Sequence, residues 1–173
     1  MDAWFVITLL GSPEFWTGLS FFLIGLFFLM RGYGRKAPHF RNFLMLMLPT
    51  LFITLIAVQG LKVGLAVPRP CVPCDMESSA LCNPYCPGDY SFPSGHAAIM
   101  FSVFTAAFLT ANKKYKVQIV LGYIIALVVT LSRIMLGVHT FIDIVGGAAL
   151  GIAIAVFVMF FAKKYGLIKS RKL

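Results

Sequence analysis

The chain has 173 residues, 60% of them hydrophobic and 12% charged, with a mean hydropathy of +0.89 and a formal charge of +9. Soluble domains carry about a quarter charged residues, so this composition excludes an ordinary soluble domain. A basic balance often signals nucleic acid, but in so apolar a chain the positive charge belongs at the cytoplasmic face of a bilayer, and nucleic acid is set aside as a partner.

In chain order, the first apolar patch is Ala3–Gly11, too short to span. It has Asp2 where a signal peptide would carry basic residues, so it reads as an interfacial helix with Trp4 at headgroup depth. Ser12-Pro13-Glu14 then supplies a capping hydroxyl, a proline for the first turn and an acid at the positive dipole end. Five stretches without a charged side chain follow: Phe15–Met30, Asn42–Leu61, Ala97–Asn112, Val117–Ser132 and Ile144–Ala162. With their flanks each approaches the roughly twenty residues that cross a bilayer as a helix. The expected fold is all-α: one domain, 1–173, a polytopic bundle of five transmembrane helices plus the short N-terminal interfacial helix. Pro49 falls inside the second span and predicts a kink. Gly147 and Gly151, four apart in the fifth, predict close helix packing.

Charge sets the orientation. Arg31, Arg35, Lys36, Arg41, Lys113, Lys114, Lys116, Lys163, Lys164, Lys169, Arg171 and Lys172 all fall on one side of a five-span bundle. The positive-inside rule makes that side cytoplasmic, with the N-terminus outside and the C-terminus inside. Tyr33, Tyr115 and Tyr165 fit an inner aromatic belt, Trp4 and Trp16 an outer one. The acids Asp2, Glu14, Asp75, Glu77, Asp89 and Asp143 map outside, with a long Pro- and Cys-rich loop at about 63–92.

Three cations remain on that outer face: Lys62, Arg69 and Arg133. They share it with His96, His139 and Asp143, and three cations beside two imidazoles describe a site for a multiply charged anion, phosphate above all. Pro93-Ser94-Gly95-His96 opens the third span, offering a helix N-terminus to that anion. Asp143 lies four residues after His139; if the fifth span begins near His139, both share a helix face, and the carboxylate fixes the tautomer that leaves the other ring nitrogen free to attack. The plainer readings are a snorkelling Lys62, a loop-turn Arg69 between two prolines and structural histidines. Ser132 reads as a hydrogen-bond donor to a neighbouring helix.

Lys62-x6-Arg69-Pro70, then Pro93-Ser94-Gly95-His96, then Ser132-Arg133-x5-His139 with Asp143 resembles the three-part signature of the type 2 phosphatidic acid phosphatase superfamily. The resemblance implies a membrane lipid phosphatase needing no metal or other cofactor. Lys62, Arg69 and Arg133 would clamp phosphate, helped by Ser94 and the Gly95 N–H. His139 would attack phosphorus with Asp143 orienting it, and His96 would protonate the leaving group and then activate water. Common members carry six spans, so the five expected here depart from them ahead of the motifs. The implied setting is the outer face of a bacterial inner membrane. The implied substrates are undecaprenyl pyrophosphate, phosphatidylglycerophosphate or the reducing-end phosphate of lipid A. A lipid phosphotransferase using the same site is the nearest alternative, a transporter or ion pathway a more distant one, and a haloperoxidase is disfavoured by the spans.

Cys71, Cys74, Cys82 and Cys86 fall in the outer loop. An oxidising compartment favours disulfides, with a four-cysteine zinc site and free thiols as alternatives, and the spacing does not choose a pairing. Oligomeric state is likewise open.

Overall fold

A computed structural model describes residues 3–29, 38–74, 82–111 and 113–168. The residues Asp2, Arg31, Tyr33, Arg35, Lys36, Asp75, Glu77, Lys169, Arg171 and Lys172, used above for topology, lie outside that set.

The described residues form six α-helices: α1 (Ala3–Leu9), α2 (Pro13–Leu29), α3 (Pro38–Leu65), α4 (Gly95–Thr110), α5 (Lys116–Met135) and α6 (Phe141–Lys164). The all-α expectation holds, and the charge-free stretches fall on α2 to α6. Helix α2 starts at Pro13, with the Phe15 N–H donating to the Ser12 hydroxyl at 3.2 Å, so the capping triplet acts as its chemistry suggests. Helix α3 continues through Pro49 without a break.

By length and apolarity three described helices can each cross a membrane: α3 from Asn42, α5 and α6. Helices α1 and α2 meet at 40° and together have the reach of a fourth. The indole of Trp16 donates to the Leu10 carbonyl at 2.8 Å, tying α2 to the end of α1 at that bend. Helix α4 is apolar but has only 16 residues, a length of about 24 Å at 1.5 Å per residue.

Helix α4 is central, packed against α3, α5 and α6. Its seat on α6 depends on two glycines. A Cβ at Gly147 would collide with the Ser94 carbonyl, and one at Gly151 with the Ala98 carbonyl, so the small-residue pair lets two backbones touch. Two cores flank this contact. One gathers Trp16, Met47, Leu51, Ile99, Met100 and Val129; the other gathers Leu46, Ala106, Ile154, Val158 and Met159. Phe21, Phe52, Ile124, Val156 and Phe160 point outward and exposed, the surface expected to face lipid.

The loop between α3 and α4 carries two disulfides, Cys71–Cys86 and Cys74–Cys82, one nested inside the other. This is the pairing the spacing left open, with the thiols spent on each other instead of on zinc. The loop is pinned to the bundle by Asn83 Nδ2, which donates to the Leu136 carbonyl at 2.8 Å, and by the Tyr85 ring stacked on Phe5 of α1.

Candidate active site

Helix ends build the site. Lys62 sits in the last turn of α3, Arg133 in the last turn of α5, and Ser94 is the N-cap of α4. Helix α5 stops because Gly137 adopts φ +67°, a left-handed conformation that suits glycine. There the Gly137 N–H donates to the Ile134 carbonyl at 2.8 Å and the Val138 N–H to the Arg133 carbonyl at 3.1 Å, which is a Schellman turn. That turn accounts for the short spacing from Arg133 to His139, which line the same cavity.

Lys62, Arg69, His96, Arg133 and His139, with Gly95, line one cavity of about 310 Å³. The motifs separated by up to 77 positions thus meet. Lys62, Arg133, His139 and Asp143 are all buried, an expensive arrangement unless the charges are used.

Arg69, His139 and Asp143 are held by specific partners, while His96 lines the cavity. Arg69 donates from Nε to the Asp89 carbonyl at 2.8 Å and from Nη1 to the Val138 carbonyl at 2.8 Å. The same Nη1 lies 3.2 Å from Nε2 of His139. A guanidinium only donates, so Nε2 holds the lone pair and the ring proton sits on Nδ1. Nδ1 faces Asp143 Oδ2 at 3.4 Å, as the spacing of four suggested. Geometry corrects the reason, however: α6 begins at Phe141, so His139 precedes the helix and the two do not share a helix face. They meet because Thr140 and Asp143 form a capping box, with the Thr140 N–H donating to Asp143 Oδ2 at 2.7 Å.

Burial, then the neighbouring Arg69, Arg133 and Lys62, hold the His139 imidazole well below the ordinary histidine value of 6.5, outweighing the pull of Asp143 in the other direction. His139 is therefore neutral at neutral pH, the state a nitrogen nucleophile needs.

Ser94 is a fully buried N-cap that does not cap: its hydroxyl has no hydrogen-bond partner among the described residues. Buried Arg133 Nε is likewise without a partner there. Buried polar groups are nearly always satisfied; Thr54 Oγ1 on α3 is a third such atom, and of the three only Arg133 Nε belongs to a residue lining the cavity. Gly95 is not demanded by packing, since a Cβ would only touch Val58 Cγ1 at 3.6 Å. Ser132 corrects another expectation, because its hydroxyl donates to Val129 in its own helix and not to a neighbouring one.

Three participants were not singled out from the sequence. Asp89 bonds Lys62 Nζ through Oδ2 and Arg69 Nη2 through Oδ1, each at 2.5 Å. Its partial burial works to raise the carboxyl pKa, but the hydrogen bonds from Lys62 and Arg69 prevail and hold it below the usual carboxylate range. Ser91, fully buried, donates to Asp143 Oδ2 at 2.5 Å. Thr8 of α1 accepts from Arg133 Nη1 at 3.0 Å. Asp89 and Ser91 lie just ahead of Pro93-Ser94-Gly95-His96, and that adjacency was the available signal; nothing local marks Thr8.

Comparison with known proteins accords with this geometry. The family model described as the PAP2 superfamily matches residues 43–166. A segment of 65 residues is 42% identical to an undecaprenyl-diphosphatase of Sulfolobus acidocaldarius, covering 38% of this chain and 30% of that protein. Phosphatidylglycerophosphatase B of Bacillus subtilis is 39% identical over 84 residues, 43% of this chain and 40% of that protein. The bacitracin transport permease protein BcrC of Bacillus licheniformis is 40% identical over 80 residues, 46% and 37% respectively. The matches span less than half the length of these relatives. Among solved structures, a transmembrane PAP2-type phosphatidylglycerolphosphate phosphatase from Bacillus subtilis superposes with a TM-score of 0.72 at 26% identity, covering 98% of this chain and 78% of that one. Aquifex aeolicus LpxE shares the fold with a TM-score of 0.62 at 22% identity, covering 91% and 83%. With most of its length matched by the family model, and with Lys62, Arg69, Gly95, His96, Arg133 and His139 of the signature around one cavity, the chain belongs to the PAP2 superfamily.

Proposed function

We propose that the protein is a lipid phosphatase that cleaves a phosphomonoester or pyrophosphate headgroup through a phosphohistidine, without a metal. The observation that carries this reading is the junction of two cavities. The cationic one shares Pro13, Leu55 and Ile99 with an apolar groove of about 160 Å³ between α2 and α3, lined by Trp16, Phe21, Leu51 and Phe52. A headgroup seated among the cations would have its chains beside that groove. A soluble phosphate ester would have no use for it.

In the first step Nε2 of His139 attacks phosphorus with its lone pair, forming an N–P bond as the P–O bond to the leaving group breaks. The departing oxygen keeps the bonding electrons and takes a proton from His96. In the second step His96 takes a proton from water, whose oxygen attacks phosphorus; the N–P bond breaks, its pair returns to Nε2, and phosphate leaves. Lys62, Arg69 and Arg133, with Ser94 and the Gly95 N–H, neutralise charge on the equatorial oxygens, the main demand of phosphoryl transfer.

The proposed topology has five spans, the N-terminus outside, the C-terminus inside, and the site at the outer face of the cytoplasmic membrane. The placement of the lysines supports this, because Lys116 is at the end of α5 opposite Arg133, and Lys163 and Lys164 are at the end of α6 opposite Asp143. The names of two relatives favour undecaprenyl pyrophosphate and phosphatidylglycerophosphate as substrates, with the lipid A phosphate as a third candidate. One relative is named a transport permease, but among the described residues the ionisable groups of the helices that form the site, Lys62, His96, Arg133 and Asp143, sit in terminal turns, while hydroxyls such as Thr50, Ser102 and Thr130 bond to their own helix. An ion pathway needs ionisable groups within the spans.

The test is free phosphate released from these three lipids and phosphatidic acid by detergent-solubilised protein in the presence of chelator. Release that persists in chelator is expected. Absence of release from every lipid, or its loss on chelation, would contradict the reading.

A further inference from the structure

We propose that Asp89 is a specificity-determining residue whose carboxylate occupies the phosphate seat in the resting protein and is displaced by the incoming headgroup. This rests on the phosphatase reading for its biological meaning, but not for its physical test.

The geometry is that of a surrogate anion. One carboxylate engages two of the three cavity cations, one oxygen to each, much as two oxygens of a phosphate would. Burial is lopsided: the side chains of Lys62 and Arg69 are 7% and 5% exposed, whereas that of Asp89 is 47% exposed. The cations are thus fixed in the wall while their counter-ion sits at the open side of the same cavity. The remaining anchors of the cations do not depend on the carboxylate. Lys62 also donates to the Tyr90 carbonyl at 2.6 Å, and Arg69 to the carbonyls of Asp89 and Val138. The loop itself is held by the disulfides, by Asn83, and by the Ser91 N–H on the Val67 carbonyl. The carboxylate can therefore swing out toward solvent while the cations stay in place.

Displacement has a second effect. With Nη2 held by Asp89, Arg69 directs Nη1 at His139 Nε2, the lone pair that must reach phosphorus. A phosphate that takes the carboxylate's place on Nη2 is brought beside that lone pair, with Arg69 still anchored on the carbonyls of Asp89 and Val138. An anion of one charge competes poorly with a carboxylate already seated; a doubly charged phosphomonoester or a pyrophosphate competes well. Asp89 thereby selects for headgroup charge.

The experiment is calorimetric titration of inorganic phosphate into the detergent-solubilised full chain, wild type against Asp89→Asn and Asp89→Glu, with melting curves in parallel. If the seat is free about a tenth of the time or less in the wild type, removing the competing charge lowers the apparent Kd for phosphate about tenfold or more. Asp89→Glu, which keeps a carboxylate, is expected to bind close to the wild type. Asp89→Asn leaves two buried cations without their counter-ion, so it is expected to melt lower without phosphate and to gain more from phosphate than the wild type does. A variant folded only in phosphate gives the same answer. Unchanged or weaker phosphate binding by Asp89→Asn, or a variant that phosphate cannot restore, overturns the proposal and makes Asp89 a positioning residue for the cations. Because the probe is phosphate and the readout is heat, tighter binding without any lipid turnover would retain this proposal and reject the phosphatase reading instead.

Discussion

The hydroxyl of Thr8 accepts a hydrogen bond from Nη1 of Arg133 at 3.0 Å, joining residues 125 positions apart. Helix α1, expected to be a membrane-surface anchor, thus also holds a cation of the site from behind, although none of its residues lines the cavity. Gly11, just past its end, lies so close that a Cβ there would meet His96 Cδ2 at 2.9 Å and Val129 Cγ1 at 2.6 Å.

Thr8→Val keeps the shape and removes the acceptor. Loss of a hydrogen bond to a buried charged group costs about 1.5–3 kcal/mol, so kcat/KM is expected to fall about ten- to a hundredfold with the fold retained. Phosphate release by Thr8→Val and Thr8→Ser, the latter close to wild type, checks this. Equal activity in all three would deny α1 any part in holding Arg133.

Asp143 has two jobs that substitution can separate. Thr140→Ala removes the cap and should cost about 1 kcal/mol of stability with a small change in kcat. Asp143→Asn should cost similar stability but lower kcat by about 10³–10⁴, by analogy with other carboxylates that fix a catalytic histidine's tautomer. Paired melting and rate measurements decide, since with a merely structural Asp143 the Asp143→Asn variant would lower kcat no more than Thr140→Ala does.

Arg69→Lys keeps the charge and loses the fork that spans Asp89, Val138 and His139. A fall in kcat of about 10²–10³ is expected, in the range for removing one oriented donor to transition-state charge. Activity within threefold of wild type would mean that charge alone suffices.

His139 is held below its ordinary value of 6.5, so as pH falls through that value the unfolded chain takes up a proton that the folded chain refuses. Stability contributed by this group is complete above that range and declines below it, by up to about 1.4 kcal/mol per pH unit. Melting temperature in detergent should drop with acid below about pH 6.5, and His139→Gln should flatten that slope. A slope unaffected by the substitution would place the proton uptake elsewhere.

Much of this site was legible because each of its three pieces is a local string at the end of an apolar stretch, on the face where basic residues are otherwise missing. The helices were legible for the same reason in reverse, as stretches from which charge is missing. What escaped was set by the loop's return path. Asp89 reads as one of several outer-face acids until the chain folds back and presses it on Lys62 and Arg69, and Ser91 is a serine in a loop until it meets Asp143. Thr8 could be found only in three dimensions. The Thr140–Asp143 capping box is written in the sequence as T-x-x-D, a helix-start pattern that overlaps the i, i+4 spacing of His139 and Asp143. Span count resisted the composition argument because α4 is short and α1 and α2 are separated by a bend.

The central claim is a covalent bond between phosphorus and Nε2 of His139. The most direct measurement is alkaline quench of the protein during turnover of a phosphorus-labelled aryl phosphate, followed by mapping of the bound label. The aryl leaving group needs little help from a general acid, so His96→Ala should form the intermediate and fail to hydrolyse it. The account expects acid-labile, alkali-stable label on the peptide containing His139, enriched in His96→Ala and missing in His139→Ala. Label on another residue, or phosphate release by His139→Ala at the wild-type rate, would contradict it.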